Sequence, residues 1–182
     1  MKLKRHPWSR RVLIALITVL VLLLVPIVGG GFVPQGHVTA GSAEYAQPPE
    51  QLWDVVSDLE SWPDWNTAVT QIARRPDRDG RPVWVAVGEW GEMPSVVDVS
   101  EPHRLLVLRI PEDAGIGFHG SWTYEIAAVD GGASLRITER GEVKNPVFRF
   151  VSLFFNQRVT LNRFLTDLGA RFGENVTPVA AD

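Results

Sequence analysis

Three patterns of apolar residues follow one another along the chain. Residues 12–33 carry no charged side chain, and about 20 apolar residues are enough for a helix to cross a bilayer. Apolar residues then recur at helical spacing over 52–59, alternate with polar residues over 69–143, and return to helical spacing as far as Phe172. These spacings are typical of helices and strands. The chain is therefore predicted to form a transmembrane helix, a short helix, a group of strands and a long final helix.

Turn-forming residues divide the alternating region into separate strands. Clusters that contain proline, glycine or aspartate, at 76–80, 101–103 and 130–132, mark the turns. Consecutive strands joined by short turns form an antiparallel sheet. Together with an extended stretch before the short helix, the predicted strands cover 37–46, 69–75, 82–88, 95–100, 105–110, 120–129 and 133–143.

Both helices predicted after the membrane span begin at a proline. Pro49, followed by Glu50, opens the short helix, and Asn145 with Pro146 caps and opens the long one. The long helix is predicted to continue to Phe172, where Gly173 ends it. It carries one apolar stripe, formed by Phe150, Phe154, Leu161, Leu165, Leu168 and Phe172.

The first half of this long helix lacks the polar face that a surface helix normally has. Over residues 147–155, Arg149 and Ser152 are the only residues that are not apolar. Such a segment indicates extra burial, a gate over a cavity, or contact with a membrane or a partner.

The order of the elements predicts an α+β fold. One open antiparallel sheet and one long amphipathic helix bury their apolar faces together when the sheet curves around the helix. We therefore predict a helix-grip domain at 35–174, preceded at 1–34 by a basic stub and one transmembrane helix. The tail at 175–182 is predicted to be disordered.

The distribution of basic residues predicts the orientation of the span. Five lysines and arginines precede it, and none occurs from residue 12 to residue 71. The positive-inside rule then leaves the N-terminus in the cytoplasm and places the domain outside. A cleaved signal peptide is the alternative, with Val38-Thr39-Ala40 as the small-x-small site. The anchor is favoured because this site lies well beyond the apolar run.

Composition narrows the possible partners. Of the 18 lysines and arginines, 13 follow the span, where all 21 aspartates and glutamates also lie, so the domain has a net charge of −8. An acidic domain is a poor partner for nucleic acid. The chain has no cysteine, and its four histidines are scattered. We therefore predict neither a metal site nor a cofactor.

Three parts of the chain resemble one known family. They are the proline-led helix with its exit at Trp62-Pro63-Asp64-Trp65-Asn66, the last hairpin, and the closing helix, at 48–66, 122–139 and from Pro146. In this order they resemble the START-like SRPBCC superfamily, often described as polyketide cyclase/dehydrase or lipid-transport proteins, over 37–173. The resemblance implies a mostly apolar cavity between sheet and helix. It does not imply one chemistry, because this fold serves binding proteins, carriers and enzymes.

Glu139 is the main candidate for chemistry in that cavity. By the period-two rule it shares a strand face with Leu135 and Ile137, so it is predicted to point inward beside Tyr124. An inward carboxylate needs a partner, and Arg109 is one candidate, although both faces of its strand are apolar. The predicted cavity residues are Trp65, Arg109, Trp122, Tyr124, Glu139, Phe150, Phe154, Leu161 and Leu165. Periodicity does not assign a face to Trp84 or Trp90.

Two motif classes are excluded by their context. The segment 115–120 matches G-x-G-x-x-G, but a strand sequence follows it, whereas a nucleotide site requires a helix there. No G-x-S-x-G occurs, so the serine hydrolase elbow is absent. The glycines of 115–120 are predicted to shape a loop over the cavity mouth.

Two functions are consistent with these observations. The first is a membrane-anchored, extracytoplasmic binding protein for an apolar small molecule or lipid, with no protein partner indicated. The second is a metal-free cyclase or dehydratase that uses Glu139 as general acid or base, with Tyr124 or Arg109 stabilising an oxyanion. A domain with a filled core that serves only as an interaction module is a weaker third hypothesis.

Overall fold

The structure, a computed structural model, describes residues 7–89, 91–154 and 158–181. Trp90, whose strand face the sequence leaves open, lies outside the described residues. In chain order the elements are α1 (Pro7–Gly31), β1 (Gly36–Tyr45), α2 (Pro49–Ser57), a 3-10 helix (Leu59–Asp64), β2 (Val69–Arg78), β3 (Arg81–Gly88), β4 (Gly91–Glu101), β5 (Leu105–Ile110), a 3-10 turn (Glu112–Ala114), β6 (Phe118–Val129), β7 (Gly132–Val143), α3 (Pro146–Ser152), α4 (Arg158–Arg171) and β8 (Val179–Ala180).

The chain divides into two compact units. The helical unit is formed by Met1–Gln35 and Val143–Phe155, and the sheet unit by Gly36–Glu142 and Asn156–Asp182. Within the described residues, eight strands of the sheet unit form one curved antiparallel sheet in the order β2-β3-β4-β5-β6-β7-β1-β8. The predicted α+β fold is confirmed, with strand bounds that lie within a few residues of the predicted ones.

Strand β1 leaves the meander and pairs with the last long strand. It runs antiparallel to β7 from Gly36 opposite Glu142 to Tyr45 opposite Ala133. Its other edge pairs with β8, where Gly41 lies opposite Ala180. The tail, predicted to be disordered, thus contributes a short strand, because the free edge of β1 offers backbone groups that Val179 and Ala180 satisfy.

Helix α2 and the 3-10 helix after it supply one side of the core. Pro49 stands at the first helical position, where a missing N–H costs nothing. The apolar residues at helical spacing, Leu52 and Val56, are fully buried. Trp62, in the 3-10 helix, donates from its indole Nε1 to the carbonyl of Val56 at 3.2 Å, and so fixes the exit of the helix.

Helix α4 packs on the sheet within the same unit through Leu161, Leu165 and Leu168, whose side chains are buried. The hydroxyl of Tyr45 donates to the carbonyl of Leu165 at 2.9 Å. Asp167 accepts from both the backbone N–H and the hydroxyl of Thr67, at 2.8 and 2.7 Å. These three leucines belong to the predicted apolar stripe, and the structure buries them as the sequence predicts.

The prediction of one long C-terminal helix is wrong. Helix α3 ends at Ser152 and α4 begins at Arg158, and the two helices belong to different units. The backbone N–H groups of Leu153 and Phe154 donate to the carbonyls of Phe150 and Val151, three residues back, so the helix tightens into a turn after Ser152. Phe154, assigned by spacing to the buried stripe, is 75% exposed instead.

The helical unit consists of α1 and α3. Residues Arg10–Gly31 are long and apolar enough, by length and composition, to cross a membrane. Asn145 caps α3 by accepting from the backbone N–H groups of Val147 and Phe148. Arg149 of α3 donates to the carbonyl of Val33 at 3.1 Å, just beyond the end of α1.

Candidate functional site

The inner face of β7 changes from apolar to polar towards its end. Leu135 and Ile137 are buried in the core, and Glu139 follows on the same face with 13% of its side chain exposed. Because alternate residues of a strand share a face, the carboxylate points to the core side of the sheet. This inward orientation is the predicted one.

Glu139 has a histidine partner that the sequence analysis missed. Nε2 of His37 lies 3.2 Å from Oε1 of Glu139, and 20% of the histidine side chain is exposed. The pairing of β1 with β7 brings the two side chains together, since Thr39 lies opposite Glu139 and His37 opposite Gly141. A mostly buried histidine and carboxylate in hydrogen-bond contact form a pair that can hold a polar group of a ligand.

Gly141 makes room for this pair. A Cβ atom at Gly141 would lie 2.3 Å from the His37 ring and 2.6 Å from the Phe118 ring. These two rings stand 6.4 Å apart between centroids. The histidine is therefore held between a strand backbone and an aromatic side chain, which limits the orientations that its imidazole adopts.

Tyr124 lies deeper on the same side of the sheet. Burial raises the pKa of its phenol well above the ordinary value, and the charge of Glu139 raises it further. The hydroxyl therefore stays protonated and remains a hydrogen-bond donor. Its ring contacts those of Trp62 and Phe164, at centroid distances of 6.0 and 5.3 Å.

An aromatic cluster lies beside Tyr124 in the core of the sheet unit. Trp65 packs edge-on against Phe164 at 5.0 Å and against Trp62 at 6.3 Å. Phe164, one helical turn from Leu161, is missing from the predicted stripe although its i+3 spacing to Leu161 would have indicated it. Nε1 of Trp65 is buried with no hydrogen-bond partner among the described residues. Such an unpaired donor is unfavourable unless a ligand or water satisfies it.

Arg109, which the sequence offers as one candidate partner of Glu139, pairs with Asp98 instead. Leu106, Leu108 and Ile110 occupy the core side of β5, so Arg109 points to the opposite face. There its Nε lies 3.2 Å from Oδ2 of Asp98. Asp98 stands in the irregularity between Val97 and Val99, and an extra residue of this kind redirects a side chain.

A groove of about 550 Å³ lies on the outer face of the sheet, at one end of strands β1, β5, β6 and β7, because Val38, Arg109 and Glu142, which line it, alternate with the inward-facing residues of their strands. Charged and imidazole side chains alternate along it, and Nε2 of His119 lies 3.0 Å from Oε2 of Glu142. Among the predicted cavity residues, Arg109 belongs to this groove. The lining consists of Gly36, His37, Val38, Arg109, Ile110, Glu112, His119, Gly120, Ser121, Arg140, Gly141 and Glu142.

The other predicted cavity residues fall into two groups. Trp65, Tyr124, Leu161 and Leu165 are buried in the core of the sheet unit, and Trp122 packs partly buried against it. Phe150 and Phe154 belong to the helical unit, where their rings meet edge-on at 5.6 Å. The structure therefore brings Tyr124 and Glu139 together in the sheet unit, whereas both phenylalanines belong to the helical unit.

Two further sequence questions receive an answer. The segment 115–120 leads into β6 at Phe118, so no helix N-terminus is available there for a phosphate. Trp84 packs partly buried against the core, and the guanidinium of Arg74 lies 5.7 Å from the centre of its ring. Across the described ranges, no three potential ligands come together as a metal site.

The family model for polyketide cyclase / dehydrase and lipid transport matches residues 37–172. The chain belongs to this family. No protein with a curated description matches the sequence.

Solved structures share the fold of this family member. The Zhui aromatase/cyclase from Streptomyces sp. R1128 is 16% identical, with a TM-score of 0.64 over 75% of this chain and 93% of that one. A START superfamily protein from Mycobacterium smegmatis is 20% identical, with a TM-score of 0.57 over 74% and 96%. XoxI from Bacillus cereus is 19% identical, with a TM-score of 0.55 over 74% and 94%.

Proposed function

We propose that this family member is a membrane-anchored, extracytoplasmic binding protein for a mostly apolar small molecule or lipid that carries a polar oxygen. The observation that carries the proposal is the pair formed by His37 and Glu139, 3.2 Å apart. It stands on the core side of the sheet, at the end of the apolar interior, where both side chains are partly exposed. A few polar groups within apolar surroundings are typical of ligand sites.

Three polar groups are available to hold the ligand's oxygen. The phenol of Tyr124 remains a donor because burial raises its pKa, and the buried indole Nε1 of Trp65 lacks an acceptor. Glu139 accepts from a ligand hydroxyl. The surrounding rings of Trp62 and Phe164 then supply apolar contact area.

We propose that the ligand reaches this site past His37 on the core side of the sheet. The histidine side chain is 20% exposed and contacts Glu139, so it is the more exposed member of the pair. We therefore expect the oxygen-bearing end of the ligand to remain near His37. The apolar part enters between the rings around Trp65, which must separate to admit it.

The anchor is supported by charge and by strand pairing. The five basic residues before the span and their absence up to residue 71 favour a cytoplasmic N-terminus. Cleavage after Ala40 would remove His37 and half of β1, whose residues from Gly36 onward pair with β7. A protein cut there would leave the edge of β7 partly unpaired, which favours an uncleaved anchor.

Co-purification tests the proposal. The full chain is extracted in a mild detergent, and bound molecules are identified by native mass spectrometry and by analysis of an organic extract. We expect a bound apolar molecule with at least one oxygen, and a lower occupancy in Glu139→Gln. Glu125→Gln, an exposed carboxylate on β6, serves as the matched control and should keep full occupancy. Equal occupancy in both variants would contradict the proposed site.

The same pair supports a second candidate function, a cyclase or dehydratase. A histidine hydrogen-bonded to a carboxylate can remove a proton from carbon and return it to a leaving hydroxyl, so that water departs and a double bond forms. The test incubates the extracted ligand with fresh protein. Conversion that depends on Glu139 would favour the enzyme, and recovery of unchanged ligand would favour the binding protein.

A further inference from the structure

Helix α3 and the turn after it expose a cluster of large apolar side chains. Phe148 is 62% exposed and Phe154 is 75% exposed. An exposed apolar patch of this kind marks a contact with a partner or a membrane. Its members are Val147, Phe148, Val151, Leu153 and Phe154, and we refer to them as the α3 patch.

The polar side chains of α3 and its cap, Asn145, Arg149 and Ser152, turn away from the α3 patch and make hydrogen bonds within the helical unit, although Nε of Arg149 is buried without a partner among the described residues. The hydroxyl of Ser152 donates to the carbonyl of Arg149 at 2.8 Å. Arg149 is 91% buried and donates to the carbonyl of Val33 at 3.1 Å. The side chain of Asn145 accepts from the backbone N–H groups of the first turn. The exposed large side chains of α3 and the turn after it are therefore apolar, as contact with lipid requires.

Helix α3 lies directly against the end of α1. A Cβ atom at Gly30 would stand 1.7 Å from the carbonyl oxygen of Pro146, and one at Gly29 would stand 2.8 Å from the ring of Phe150. Glycine at both positions lets the two helices approach closely, as small residues do between membrane helices. At Gly31 the same atom would meet nothing within 4 Å, so the contact is confined to one side of α1.

This packing continues the apolar surface of α1 onto α3. From Val12 to Val28 the large side chains of α1 are apolar and exposed, and α3 begins at the level of Gly30. If α1 crosses the bilayer, as the proposed function requires, the α3 patch stands where α1 leaves the apolar layer. The exposed side chains of the patch carry no charge, which favours contact with lipid acyl chains over contact with a polar protein surface.

We propose that α3 is a second membrane contact, whose patch inserts into the leaflet from which α1 emerges. This inference rests on the proposed anchor. Interfacial helices bury their apolar face by about 5–10 Å. The insertion holds the helical unit at two points, so the end of α1 and the start of α3 remain together at the membrane surface.

Fluorescent labels test the depth of the patch. Since the chain has no cysteine, single cysteines can be introduced as Phe148→Cys, Phe154→Cys, Leu20→Cys and Asp130→Cys and labelled with an environment-sensitive dye. The full chain is reconstituted in phosphatidylcholine vesicles whose acyl chains carry a nitroxide near the headgroup or near the chain end. Leu20, in the middle of α1, reports on the span, and the exposed Asp130, between β6 and β7, serves as the control. Circular dichroism confirms that each labelled variant is folded.

The expected result is loss of fluorescence at positions 148 and 154 mainly with the nitroxide near the headgroup, and at position 20 mainly with the deep nitroxide. Labels at 148 and 154 that are quenched no more than the label at 130, while position 20 is quenched, would overturn the insertion and leave the anchor intact. A blue-shifted but unquenched label at 148 indicates contact with protein and also overturns it. An unquenched label at position 20 overturns the proposed anchor itself.

Discussion

The imidazole of His37 lies 3.2 Å from the carboxylate of Glu139, although 102 positions separate the two residues in the chain. The first strand of the sheet unit brings them together by pairing with the last long strand. Both side chains are mostly buried on the core side, so each is the main polar neighbour that holds the other in place. The pair lies at the end of the apolar interior and is the centre of the proposed site.

The first prediction concerns the coupling of this pair. In a double-mutant cycle of His37→Gln and Glu139→Gln, the two single changes should not be additive, because either change removes the same contact. Directly contacting residues typically show interaction energies of about 0.5–3 kcal/mol. Unfolding by urea, followed by tryptophan fluorescence, measures the free energy of each variant. Additive effects would show that the contact contributes nothing to stability.

The second prediction concerns the packing of α4 against the sheet. Leu165 is fully buried, and Leu165→Ala should lower the free energy of unfolding by about 2–5 kcal/mol, as buried leucine truncations do. Val159, on the same helix, is 48% exposed, and Val159→Ala should change it by less than about 0.5 kcal/mol. Equal effects of the two changes would mean that α4 is not held in the sheet through Leu165.

The third prediction concerns the hydrogen bond between β1 and α4. Tyr45→Phe removes the hydroxyl that donates to the carbonyl of Leu165 at 2.9 Å, with little change in shape. We expect a loss of about 0.5–1.5 kcal/mol in stability, the usual net contribution of such a bond. Thr166→Val, which removes an exposed hydroxyl from the same helix, is the control in the same denaturation experiment. An unchanged midpoint in Tyr45→Phe would contradict the structural role of this bond.

The fourth prediction concerns topology. A reporter enzyme fused after Asp182 should be active only when its activity requires an extracytoplasmic compartment, because the basic residues precede the span. A paired reporter that works only in the cytoplasm should be silent. Activity of the cytoplasmic reporter would reverse the topology. Sequencing of the mature N-terminus is an independent check, since a start at Gly41 would show cleavage and rule out the anchor.

Local sequence patterns determine most of the elements. The strand at 105–110 has the predicted bounds, and the helix that begins at Pro49 starts where proline and glutamate predict it. The inward orientation of Glu139 also follows from alternation alone. These features depend on the spacing of apolar residues and on turn chemistry, both of which act between near neighbours in the chain.

Tertiary structure alone decides which strands and side chains meet. Alternation assigns Glu139 to a face of β7 but does not show that β1 is the neighbouring strand. The sequence alone therefore does not identify His37 as the partner of Glu139. The sequence of β5 is apolar on both faces, so alternation does not orient Arg109. In the structure Leu108 is buried on one face, and Arg109 therefore lies on the other, where it pairs with Asp98. The break between α3 and α4 has the same origin. Spacing gave Phe154 and Leu165 one stripe, but burial, which depends on contacts far apart in the chain, divides them between two units.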